Sequence, residues 1–141
     1  MALEHSFANL KAIAQSKSAD AVLLLEHGRF ANAYYLAGYA VEIGLKACIA
    51  LQFRAEHFPD RRVVNAIHTH QLNELVLHAG LEKILDDRRR QDRDFSDNWA
   101  LACNWSPDSR YIAVDGLTAQ AMVRAVSDPQ TGVLTWIREY W

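Results

Sequence analysis

Apolar residues recur along the chain at steps of three and four, and no stretch alternates with the period-two pattern of a strand. Phe7, Leu10, Ile13 and Ala14 start one helical stripe that Ala21, Leu24 and Leu25 continue, which predicts a first helix from about Ser6 to Glu26. His27-Gly28 then supplies a stop, because glycine takes the left-handed cap at little cost. A second helix runs from Phe30 to about Gln52 and is apolar almost all round, the pattern of a central bundle helix. FRAEHFPDRRVVNAI reads as a long connection. A third helix starts near Thr69, a possible N-cap, and carries Leu72, Leu75, Val76 and Leu77. Gly80 interrupts it before LEKILDDRRRQDRD resumes with a charged end. Phe95 to Asn104 forms a fourth helix closed by WSPDSRY, Asp115 caps another through Val126, and Thr131 to Trp141 makes a short aromatic tail. The prediction is an all-α, up-and-down bundle of four main helices plus short ones, a single domain over residues 1–141.

The second helix carries the pattern's one anomaly. Within YYLAGYAVEIGLKACIA, Tyr35, Tyr39, Glu42 and Lys46 step by four, three and four, so they share one stripe on an otherwise greasy helix. Glu42 and Lys46 are either an exposed pair worth a few tenths of a kcal/mol or, with Tyr35, Tyr39, Arg110 and Tyr111, part of a nucleotide- or RNA-binding site or a buried polar network. In the second case Glu42 needs a cation, and Arg110 of SPDSRY, with its planar guanidinium, is the distant candidate, beside Tyr111. Gly38 and Gly44 each cost roughly 1 kcal/mol against alanine in a helix interior. Close approach of a neighbouring helix is the simplest compensation.

Half of the residues are hydrophobic, and 15 Lys and Arg against 17 Asp and Glu leave a net charge of −2. A polycation binding nucleic acid by overall charge is thereby excluded, and any anion site is a local patch. Cys48 and Cys103 lie in apolar contexts and read as free thiols of a reducing cytosol. No signal peptide and no charge-free span of about twenty apolar residues is present, so the expected location is cytoplasmic, with no membrane.

AYYLAGYAVEIGLKA, HTHQLNEL, WSPDSRY and the VLTWI tail together resemble the HEPN domain family over roughly Ala19 to Ile137. The resemblance implies a helical bundle, often a homodimer, that works around RNA or nucleotides without a cofactor. Many members are partners of a minimal nucleotidyltransferase in toxin–antitoxin or defence modules; many are metal-independent ribonucleases with an arginine followed at short spacing by a histidine. Here Arg62 and His68, with five residues between them in RVVNAIH, are the spacing match. Val63 stands where a polar residue is usual and His70 where a modifiable tyrosine stands in some members.

Metal-free RNA cleavage needs a base for the 2′-hydroxyl proton and a cation for the developing charge. His68 and His70 are the catalytic candidates, with Arg62 as phosphate clamp. A helix-start role for His70 is the plainer alternative. His68, His70 and His78 lack the spacing of a zinc pair, so no metal site is expected. No phosphate loop or nucleophile elbow occurs. The clusters Arg61-Arg62 and Arg88-Arg89-Arg90 with Arg93 read first as solvated helix ends, and the four tryptophans as core or interface residues. The reading favoured is a non-catalytic HEPN-like partner of a nucleotidyltransferase. A ribonuclease using Arg62 and His68 comes second, and a helical interaction module without a nucleotide role third.

Overall fold

The computed structural model describes residues 2–52, 61, 65 and 67–141, with side chains from residue 9 onward. The chain is all-α: α1 Ala2–Glu26, α2 Phe30–Leu51, α3 Leu72–His78, α4 Glu82–Gln91, α5 Arg93–Cys103, a 3-10 turn Pro107–Tyr111, α6 Gly116–Ser127 and α7 Val133–Ile137. α1, α2, α5 and α6 are the main helices, and no strand occurs among the described residues. The connection before α3 falls largely outside the described residues.

Local chemistry sets the helix ends. Gly28 has φ 72° and closes α1 with two bonds, from its own N–H to the Leu25 carbonyl and from Arg29 N–H to the Leu24 carbonyl. Gly80, at φ 73°, repeats this at the end of α3, with Gly80 N–H to Leu77 O and Leu81 N–H to Val76 O. That is the physical content of the break expected there. α3 itself starts later than expected, at Leu72 after Gln71. Thr69 lies outside the helix, where its hydroxyl accepts from Gln71 N–H at 3.2 Å and donates to Glu74 at 2.8 Å.

Asp92 and Asp115 cap α5 and α6 by accepting from Phe95 N–H at 3.1 Å and Thr118 N–H at 2.7 Å. Asp128, after α6, accepts from the N–H groups of Gln130 and Thr131, both at 2.8 Å. Thr118 holds the Asp115 carboxyl below its usual pKa, and Thr131 and Gln130 do the same for Asp128. For a depressed carboxyl the sign is fixed: its stabilisation is complete above the unfolded value and is lost as pH falls through the folded one. Thermal melts followed by circular dichroism should therefore show the wild-type midpoint falling more steeply below about pH 4 than that of Asp115→Asn/Asp128→Asn. Parallel curves would mean that these caps carry no acid sensitivity.

α2 is the central helix, packed by α1, α3, α6, α7 and the 3-10 turn. By length and composition it passes for a membrane span, with mean hydropathy 1.2, but 61% of that window is buried inside the bundle. α1 lies along α2, and the buried residues of the pair include Ala14 and Ala21 on one side and Ala33, Ala37 and Ala40 on the other. Ile13, expected on the packed stripe of α1, is 40% exposed; the small alanines make the contact instead. The C-terminal tail packs on the bundle. Val133, Leu134, Trp136 and Ile137 are buried, and Trp136 lies 5.4 Å from the Phe95 ring and 6.3 Å from that of Trp99.

Both glycines of α2 are explained, though not by a neighbouring helix backbone. A methyl at position 38 would run into the indole of Trp105. One at position 44 would meet Leu134 at 3.0 Å and Ile137 at 3.2 Å. The bare backbone admits side chains, from the loop after α5 in one case and from α7 in the other.

Candidate functional site

The polar stripe of α2 lies beneath the seat of Trp105. Trp105 is buried over Gly38, and its indole N–H donates to the Tyr35 carbonyl at 3.1 Å. Its ring lies 6.0 Å from that of Tyr35 and 6.3 Å from that of Tyr39, and the two tyrosine rings meet edge to face at 5.7 Å. This aromatic wall and the carboxylate of Glu42 bound a cavity of about 130 Å³, completed by His70, Pro107 and Arg110.

Glu42 is buried, at 2% exposure. A carboxylate so placed is tolerated only when paired and hydrogen-bonded. One oxygen accepts from Lys46 Nζ at 3.3 Å and the other pairs with His70 Nδ1 at 2.6 Å. The expected partnership of Glu42 with Arg110 is not formed. Lys46, one turn away, is already within reach, and His70, delivered just before α3, takes the second oxygen. Arg110 lines the same cavity from the far side. It is exposed, its guanidinium stands 4.8 Å from the centre of the Tyr111 ring, and it has no acidic partner among the described residues.

Protonation states follow from these surroundings. Burial pushes the Tyr39 hydroxyl up, helped by the negative charge of Glu42 and by Tyr35, so it remains a proton donor at neutral pH. Tyr111 and then Tyr35 hold Arg110 above the already high arginine value, so its charge is permanent. Burial pushes the free Cys48 thiol up to about 12 and raises Cys103 as well, and neither offers a ready thiolate. The arrangement can therefore present to a ligand one fixed cation, one imidazole and phenol hydroxyls. The buried acid on the same cavity is paired with Lys46 at 3.3 Å.

The residues singled out from the sequence separate into three sets. Tyr35, Tyr39, Glu42, His70 and Arg110 converge on one cavity, with Lys46 paired behind Glu42. Tyr111 stays outside it, 75% exposed, with its ring under Arg110. Arg62 lies outside the described residues, and His68 is exposed, its N–H bonded to the Asn65 carbonyl. His70 pairs with the acid on α2, and His68 is not among the residues lining the cavity.

Trp105 and Pro107 were not singled out as site residues. The signal for Trp105 was Gly38, an unexplained gap in a helix interior that wanted a large flat neighbour.

The arginine cluster of α4 is partly used up in structure. Arg88 pairs with Asp92 at 3.3 Å, donates to the Gln130 carbonyl at 3.0 Å and lies over the Phe95 ring, while Arg89 donates to Ser96 at 3.0 Å. Compared with protein-family models, curated proteins and solved structures, the chain matches none.

Proposed function

We propose that this chain is a HEPN-type bundle working in an RNA- or nucleotide-linked module, as the cytoplasmic, homodimeric partner of a minimal nucleotidyltransferase that binds phosphates without strong catalysis of its own. The observation that carries the reading is Arg110, a permanent cation without an acidic partner among the described residues, at a cavity whose carboxylate, Glu42, is already paired with Lys46 and His70. Hydrogen bonds to charged groups are the strong ones, and arginine matches phosphate geometry. The polar stripe and the WSPDSRY turn that carry the family resemblance both contribute to this cavity.

Filter binding with single-stranded RNA tests the phosphate role, and co-purification with a nucleotidyltransferase encoded next to the gene tests the partnership. Arg110→Gln should weaken RNA binding by about tenfold, the worth of one charge-assisted bond. A protein that retains neither RNA nor nucleotidyltransferase would instead be the plain helical interaction module.

One observation favours cleavage as a second reading. The 2.6 Å contact of His70 Nδ1 with Glu42 fixes the ring through that nitrogen. Nε2 is then left to take a 2′-hydroxyl proton. Incubation of mixed RNA in chelator, beside His70→Ala, Arg62→Ala and His68→Ala, separates the two. The binding reading expects intact RNA throughout; cleavage abolished by His70→Ala alone would install His70 as the base in place of His68.

A further inference from the structure

A second concave surface runs along α6 and shares no lining residue with the Arg110 cavity. It consists of two hollows, of about 530 and 290 Å³, that both use Leu25 and Gln120 and so form one groove where α6 packs against the end of α1. Leu117, Gln120, Arg124 and Ser127 step by three, four and three, so one stripe of α6 lines the groove from end to end. α6 has 12 residues, roughly 18 Å of helix. The floor is apolar: Val22 and Leu25 are half-buried there and Val123 is buried. At the wider end Phe30 lies against the bare backbone of Gly116, where an added methyl would meet its ring at 3.1 Å. In the same hollow Leu117 is 79% exposed and Phe30 36%. Apolar groups gathered on one groove, rather than scattered singly, mark an interaction surface.

Charge sits at the two ends. Asp115 lines one of them; it caps α6 and forms no ion pair among the described residues. Arg124 lines the other and likewise forms no ion pair among the described residues. Asp128 shares that end and feels the charge of Arg124, but its carboxylate is bonded to the N–H groups of Gln130 and Thr131. We infer that the groove takes an amphipathic helix of a partner protein, about three turns long and antiparallel to α6, with an acid in its first turn at Arg124 and a base in its last turn at Asp115. Apolar residues at i, i+3 or i+4 and i+7 of that helix fill the floor. Acids stabilise the first turn of a helix and bases the last. The antiparallel direction is therefore the one in which the charges a helix prefers meet those the groove presents. The inference does not depend on phosphate binding at Arg110.

Display selection of random peptides of about sixteen residues, long enough for such a helix, on the immobilised full chain tests it, with Leu117→Glu as the counter-selecting variant. Leu117→Glu should fold as wild type, because the side chain is exposed and an acid suits the first turn of α6; an unchanged melting midpoint checks this. Peptides retained by wild type alone should carry the i, i+3 or i+4, i+7 apolar pattern, with acids early and bases late. Fluorescence anisotropy should show them binding Leu117→Glu about tenfold more weakly. Asp115→Asn, which keeps a capping side chain, and Arg124→Gln should each weaken them about threefold, the size of an exposed ion pair, and should not weaken a charge-reversed copy of the same peptide. No retained peptide, peptides with bases first or without the helical pattern, or equal binding to Leu117→Glu would overturn the inference. So would self-association, read by sedimentation, that Leu117→Glu abolishes: the groove would then belong to a second copy of this chain.

Discussion

Gly38→Ala should destabilise the protein by about 2–4 kcal/mol, the opposite of what the same change does in an ordinary helix. Alanine is normally favoured by about 1 kcal/mol at such a position. Here the added methyl enters the indole of Trp105, which is 4% exposed, bonded through its N–H to the Tyr35 carbonyl and flanked by two tyrosine rings. Overpacking of a well-packed interior costs about 1–3 kcal/mol. Displacing the tryptophan instead forfeits burial worth roughly 3–5 kcal/mol. The collision with the indole is too close for small adjustment, so displacement dominates, and net of the helix gain it leaves a loss of about 2–4 kcal/mol. At roughly 2–4 °C per kcal/mol for a chain somewhat larger than this one, the melting midpoint should fall by a similar multiple or more. Combining Gly38→Ala with Trp105→Leu provides the internal control. The two should be strongly non-additive, because the second removes the atoms that the first collides with. A Gly38→Ala protein that melts above wild type would mean that the indole does not sit on this backbone.

The second large effect belongs to the buried carboxylate. Lys46→Ala and His70→Ala should each cost about 1–2 kcal/mol, since each leaves Glu42 with one hydrogen-bonded partner. The His70 side chain is 56% exposed and its contribution is screened accordingly, which places it at the lower end. The double variant strands a carboxylate that is 2% exposed, and breaking a buried pair completely costs about 3–5 kcal/mol. Chemical denaturation of the four proteins should therefore give a double loss exceeding the sum of the singles. Glu42→Met, which removes the charge and nearly keeps the volume, should by contrast stay within about 1.5 kcal/mol of wild type. That contrast would mark Glu42 as kept for what it positions. Strict additivity, or a costly Glu42→Met, would deny that reading. Arg110 has no part in this network, so its removal should be read in binding.

What the sequence makes legible and what it hides divide along contact range. The ends of α1 and α3 were readable because Gly28 and Gly80 act through bonds to carbonyls three to five residues back. The caps at Asp115 and the stripe on α2 were readable for the same reason, since their spacing is local. The Lys46 half of the Glu42 network was legible too, being one helical turn away. The His70 half was not. Its contact spans 28 residues and depends on how α3 is docked, which no periodicity encodes. Arg110 is one of two candidates for Glu42, beside Lys46, on the rule that buried charges are paired. The rule does not say by whom, and a nearer lysine and histidine had already met the requirement. The glycines of α2 signalled close approach correctly. Whether a backbone or a side chain approaches was fixed only by where the loop after α5 and the helix α7 fall.

On the function proposed above, ligand phosphate meets Arg110 at the cavity on α2, beside His70. Nitrogen-detected magnetic resonance of the histidine rings and arginine Nε groups during a single-stranded RNA titration tests it most directly. The His70 and Arg110 signals should move together along one saturable curve, while those of Arg88 and Arg89, held by Asp92, Gln130 and Ser96, stay in place. Shifts confined to the Arg88-Arg89-Arg90 cluster, with His70 and Arg110 unmoved at saturation, would contradict it.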